Sequence, residues 1–229
     1  MKVKLSYQTL QMPPPYAMAY TIAIDIKEAI HVDLNIEYLD REEIDEEEIM
    51  NEGFGLDDDF QWKGQIPNSW KQELISYFDG INLVDKSRDL NHWLFVELDN
   101  ESKKSSGHIA IPEKELSFLQ QIIQACYEKG KRELPLSIDL ITISNGEKNK
   151  FQIKASFAER SFSMNEQQKS WSDLEKIMFV LYSEEPEPSK PSKNPSKNGI
   201  WIDYTSEGYF YKLQPLSKDN IASLNQIIS

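Results

Sequence analysis

Cysteine is nearly absent: Cys126 is the only one in 229 residues. No intrachain disulfide can form, and a thiolate metal cluster is excluded. Histidine is scarce, and His31, His92 and His108 include no pair at zinc-ligand spacing. The nine glycines are scattered and build no phosphate-cradling loop; Gly53-Phe54-Gly55 lacks a third glycine and a preceding strand. There is no Gly-x-Ser-x-Gly elbow. Cys126 falls on an apolar helical stripe, where a buried and inert thiol is expected. No apolar run approaches the roughly 20 residues of a membrane span, and the N-terminal stretch has no signal-peptide core, so a soluble, cytoplasmic protein is expected. Positive charge is also short, with 25 basic residues against 38 acidic ones and a net charge of -13. Phosphate binding needs clustered Lys and Arg to release counterions, so neither nucleic acid nor an anionic membrane is an expected partner. No cofactor is expected.

What is present is an internal echo. Residues 92–123 and 200–228 each read as an aromatic-led strand (Trp93, Trp201), a polar turn, a second strand, and a helix ending in Gln-Ile-Ile. Upstream of each lies a Ser-Trp helix start, Ser69-Trp70 and Ser170-Trp171, and upstream of that a hairpin. In the first hairpin Ile30, Val32, Leu34, Ile36 and Tyr38 alternate with His31, Asp33, Asn35 and Glu37, the period-two pattern of a sheet with one wet face. In the second, Leu136, Ile138 and Leu140 lead through Asn145-Gly146, a hairpin turn signal, to Phe151, Ile153 and Ala155. Ser69 to Gln72 has capping-box spacing.

The expected fold is therefore α+β, with two pseudo-repeated ββαββα units whose antiparallel sheet carries helices packed on one face. Residues 1–16 read as a strand and a Pro-rich lead-in ahead of the repeat. Residues 17–130 form the first unit and 131–229 the second. Spacing between landmarks exposes two insertions. One is the acidic stretch 40–59. The other, 183–199, holds Pro-Ser-Lys three times and reads as a disordered loop, because it cannot bury enough apolar surface to order itself.

The acidic insertion is the leading functional candidate. Eleven carboxylates against Arg41 alone supply -10 of the chain's -13. The expected partner-binding residues are Glu46, Glu47, Glu48, Phe54, Asp57, Asp58, Asp59 and Phe60. Acidic charge steers a basic protein partner and aromatic side chains anchor it. Opposed to this is a solvated tip whose apolar residues tuck back onto their own domain. The wet sheet face is a second candidate contact surface. The enzyme alternative is a metal-dependent hydrolase with Asp139, Gln152 and Lys154 on one hairpin face. A structural module that forms homo-oligomers is the third reading.

Overall fold

A computed structural model describes residues 1–100, 103–183 and 185–228. They fall into two compact units, Met1–Glu133 and Leu134–Ser229, and the class is α+β. The first unit contains β1 (Lys2–Thr9), β2 (Met18–Ile26), β3 (Ile30–Tyr38), α1 (Glu46–Asn51), β4 (Phe60–Ile66), α2 (Lys71–Asp79), β5 (His92–Asn100), β6 (Lys103–His108) and α3 (Glu113–Lys129). The second contains β7 (Leu136–Ser144), β8 (Glu147–Ser156), β9 (Ser161–Met164), β10 (Gln167–Lys169), α4 (Trp171–Tyr182), β11 (Gly199–Asp203), β12 (Tyr211–Lys212) and α5 (Lys218–Ile228). Every strand pairing is antiparallel among the described residues. The sheet orders are β4-β3-β2-β1-β5-β6 and β10-β9-β8-β7-β11-β12. They are the same order shifted by six strands, and the pseudo-repeat is a property of the fold.

Each repeat is longer than the expected ββαββα by two strands. Residues 2–9 are no lead-in: β1 lies between β2 and β5 and matches β7, which lies between β8 and β11. Pro13, Pro14 and Pro15 occupy the connection after β1, so they take no ladder position and block no pairing. The other added strands are β4, which begins at Phe60 directly after the acidic stretch, and the short β9–β10 hairpin. That hairpin turns through Asn165 (φ 49°) and Glu166 (φ 68°), a tight turn with a left-handed pair at its centre. Asn145 (φ 52°) and Gly146 (φ 84°) make the same kind of turn between β7 and β8.

Alternation builds the cores. In the first sheet Val3, Leu5, Ile22, Ile24, Val32 and Leu34 are each at most 2% exposed and are cross-strand neighbours on one face. Trp70 is fully buried and meets Phe118 of α3 edge-on at 6.2 Å. Tyr77 of α2 stacks on the same ring at 4.0 Å. In the second unit Ile138, Ile153, Phe162 and Ile202 of the strands share one buried cluster with Leu174 and Ile177 of α4 and Leu224 and Ile227 of α5. Ser170 caps α4 by accepting the Asp173 N–H at 3.2 Å. Ser69 does not repeat this: a 3-10 turn over Asn68–Trp70 leads into α2, without a side-chain cap bond. In α5 Leu224 and Ile227 are buried, whereas Ile221, three residues before Leu224, is 42% exposed.

The segment 183–199 departs most from expectation. From residue 185 on it is docked along the edge of β12. Pro186 bridges Leu213, and Ser192 bridges Phe210. The first unit has a short version of this contact, where Val84 bridges His108 of β6. Gly107 permits it, since a Cβ there would meet the Val84 carbonyl oxygen at 2.9 Å. Low apolar content predicts disorder only when a segment must order itself; here a neighbouring strand edge supplies its hydrogen bonds.

Candidate functional site

Between β3 and β4 the chain runs out for residues 39–59, where the second unit turns in two residues. This is the acidic stretch, and it is folded around Arg41. Only 11% of the Arg41 side chain is exposed. Its guanidinium donates to the Gly55 carbonyl at 2.7 Å and to Asp58 Oδ2 at 3.2 Å from both terminal nitrogens. Its central carbon lies 4.0 Å from the Tyr38 ring centre and 5.1 Å from that of Phe54, within cation–π range. Asp58 also accepts the Gly55 N–H at 2.8 Å and pairs with Arg132 at 3.3 Å. Asp59 accepts the Tyr38 N–H at 2.8 Å. Tyr16 donates its hydroxyl to Glu52 and meets Phe54 edge-on at 5.2 Å. Burial and the nearby Asp58 carboxylate raise the Tyr38 phenol above its usual value.

The eight expected binding residues thus divide. Phe54, Asp58 and Phe60 are half-buried against their own unit, and Asp59 is exposed but tied to the Tyr38 N–H; Phe60 is in β4, edge-on to Tyr127 of α3 at 4.8 Å. Glu46, Glu47, Glu48 and Asp57 are exposed. Two apolar residues of the same stretch, Met50 at 55% and Leu56 at 52% exposure, are also open to solvent. Ile49, the one buried residue of α1, holds that short helix down. Leu10 and Met12, in the connection after β1, are also exposed. The signal that could have separated the groups is the lone Arg41: one cation among eleven anions must recruit some of them inward.

The outer face of the first sheet forms a shallow trough of about 960 Å³. Its charges cancel locally, through Lys4–Glu97 at 3.9 Å, Lys63–Asp33 at 2.9 Å and Lys104–Asp99 at 2.9 Å. Such exposed pairs add little stability, and a balanced face does not select a partner by charge. His31 is on this face, 3.4 Å from Gln65. His92 Nδ1 lies 2.8 Å from the Tyr7 hydroxyl, whose pKa burial and Asp89 push up to about 12.

In the second sheet Asp139 and Gln152 are register partners, and Lys154 lies opposite Ser137 on the same face. Asp139 Oδ2 pairs with Lys150 at 3.2 Å, while Oδ1 is buried without a hydrogen-bond partner among the described residues. The other neighbour of Asp139 across the ladder is Asp203, 1% exposed. Burial opposes the charge of Asp203, but the Gly208 N–H at 2.5 Å and the Thr205 N–H at 3.1 Å outweigh it and hold the carboxyl below its usual range. Among the described residues no group of three His, Cys, Asp or Glu side chains is placed to hold a metal ion. Cys126 is buried, and burial pushes its thiol up to about 12, away from the reactive thiolate. No helix of the described residues is long and apolar enough to cross a membrane. Comparison with protein-family models, with curated proteins and with solved structures finds no match.

Proposed function

We propose that this chain is a non-catalytic protein-binding module whose contact surface is the acidic projection of the first unit. The observation that carries this reading is the division within the projection. Arg41 gathers Asp58, Phe54 and Tyr38 inward, leaving Glu46, Glu47, Glu48 and Asp57 outside around exposed Met50 and Leu56. A fixed acidic rim with apolar studs suits a basic partner surface that has apolar grooves: charge sets the encounter rate and the studs set the residence time. The test uses a Lys-rich amphipathic helical peptide and a scrambled peptide of equal charge. The chain binds the amphipathic one more tightly, with an affinity that falls as salt rises. Met50→Ser with Leu56→Ser weakens it about tenfold, as expected for two buried apolar anchors. Equal binding of both peptides, or no effect of the double substitution, defeats the reading.

The alternative, a metal-dependent hydrolase, draws support from the Asp139–Gln152 register pair and the unpartnered Oδ1 of Asp139. Its test is thermal shift with magnesium, manganese, calcium and zinc, followed by Lys154→Ala. If no ion raises the melting temperature, it falls.

A further inference from the structure

The outer face of the second sheet holds a buried apolar patch separate from the main core: Ile141, Ile143, Trp201 and Phe210. Segment 185–198 is bonded to the residues that frame it. The Trp201 indole N–H donates to the Lys197 carbonyl at 3.0 Å. Lys148, the register partner of Ile143, donates to the Pro195 carbonyl at 3.2 Å. Ser192 exchanges backbone hydrogen bonds with Phe210 at 2.8 and 3.0 Å. Upstream, Glu187 clamps Lys212 at 2.6 Å, and its N–H donates to the Lys212 carbonyl at 2.7 Å.

The segment is held through the carbonyls of Pro195 and Lys197 and through the Glu187 side chain, and Pro195 is buried. Lys190, Lys197, Ser189 and Ser196 are exposed, so most of its side chains go unread, while exposed Lys193 lies 4.8 Å from the Tyr209 ring centre. An indole N–H offered to a main-chain carbonyl, with a buried proline two residues before it, is chemistry suited to recognising proline-containing segments.

We infer that this outer face is a binding site for a proline-containing polypeptide with an acidic residue eight positions before the buried proline, as Glu187 stands before Pro195, and that residues 185–198 occupy it in cis. The site is independent of the acidic projection. The fold does not need the strap at this length, because the matching connection of the first unit achieves its edge contact with one bridge, Val84 to His108. With Pro195 the only buried residue among 185–198, the strap belongs to the least stable part of the unit. A tethered occupant acts at an effective concentration of about millimolar, so a peptide in trans must compete with it.

The test uses the full chain and a fluorescent peptide copying residues 185–198. Wild type binds it weakly. A variant with residues 188–197 replaced by an equal length of Gly and Ser binds about tenfold or more tightly. Trp201→Phe in that background costs about fivefold, the loss of one hydrogen bond, and a peptide with Glu187→Gln binds more weakly. A folded strap variant that binds no better than wild type overturns the inference. If the variant does not fold, hydrogen exchange on wild type decides. Ser192 and the Trp201 indole exchanging ahead of the β7 amides supports a releasable strap, and exchange only with global unfolding overturns it. Wild-type dimers that form by trading straps and exclude the peptide overturn the assignment to a foreign segment.

Discussion

The two sheets share one strand order and differ in what is attached to it. On the inner faces the units agree, with alternating Ile, Val and Leu meeting helices that have a Trp at or just before their first residue. On the outside they diverge. The first unit extends the β3–β4 connection into an acidic projection where the second turns at Asn165-Glu166. The second extends the connection before β11 into a strap where the first makes one bridge. Core positions must fill a fixed volume, so their freedom is small. A connection on the surface lengthens at little thermodynamic cost. Function is accordingly sought in the two extensions, and each is anchored by few groups.

The two tryptophans at the helix starts test how far the equivalence goes. Trp70 is fully buried, whereas Trp171 is half-buried and meets Phe157 edge-on at 5.2 Å. Trp70→Ala is expected to cost about 4 kcal/mol in urea denaturation through the cavity it leaves. Trp171→Ala costs about 1.5 kcal/mol, since its ring loses less buried area. Equal losses would show that both are anchors of one kind and that the half-exposure of Trp171 is of no consequence.

A second contrast lies on the outer faces. If Trp93 and Trp201 are aligned, Phe95 beside Ser6 in the first sheet corresponds to Asp203 beside Asp139 in the second. Asp203→Asn removes a charge held by the N–H groups of Gly208 and Thr205, and it costs about 2 kcal/mol at neutral pH. The folded carboxyl lies below its unfolded value. Its contribution is therefore complete above the unfolded pKa of about 3.9 and is lost as pH falls through the folded one. Wild type and variant should converge as pH falls through the folded pKa of Asp203. A gap that persists in acid would assign the loss to packing.

Arg41→Ala tests the projection against the bare turn. It removes the bonds to Gly55 and Asp58 and the contacts with Tyr38 and Phe54. Asp58 keeps Arg132 and the Gly55 N–H, so the loss is expected to be about 1.5 kcal/mol and confined to the projection. Limited proteolysis within 42–57 should accelerate while the sheet melts nearly as before. Collapse of the whole unit would mean that the projection has become part of the core.

The class and the repeat were legible because alternation and landmark order survive in a single sequence. Its exact length was not. β9 and β10 are four and three residues long, too short for a period-two signal, and Gln167 and Gln168 carry no apolar face. The three prolines suggested a break where β1 merely ends. At the candidate site the acidic stretch was evident, but its division was not, because the roles of Asp57 and Asp58 differ by where Arg41 reaches and not by residue type. The strap was misread for a related reason: composition reports whether a segment can order itself, not whether a neighbouring edge will order it.

The smallest effect is expected where the sequence looks most unusual. Changing Glu42, Glu43, Asp45, Glu46, Glu47 and Glu48 to their amides removes six exposed or nearly exposed charges and no contact that holds the Arg41 cluster. Two terms oppose each other. Carboxylates in the first turn of α1 favour its N-terminal dipole, by about 0.3–1 kcal/mol each where exposed, while six like charges repel one another. The net change in stability should stay within about 0.5 kcal/mol. Salt screens both terms and shows which is larger: wild type gains more than the variant from rising ionic strength where repulsion dominates, and less where the dipole does. A loss above about 1 kcal/mol would make these carboxylates structural, and the projection would then differ from the Asn165-Glu166 turn in architecture alone, with no surface left over for a partner.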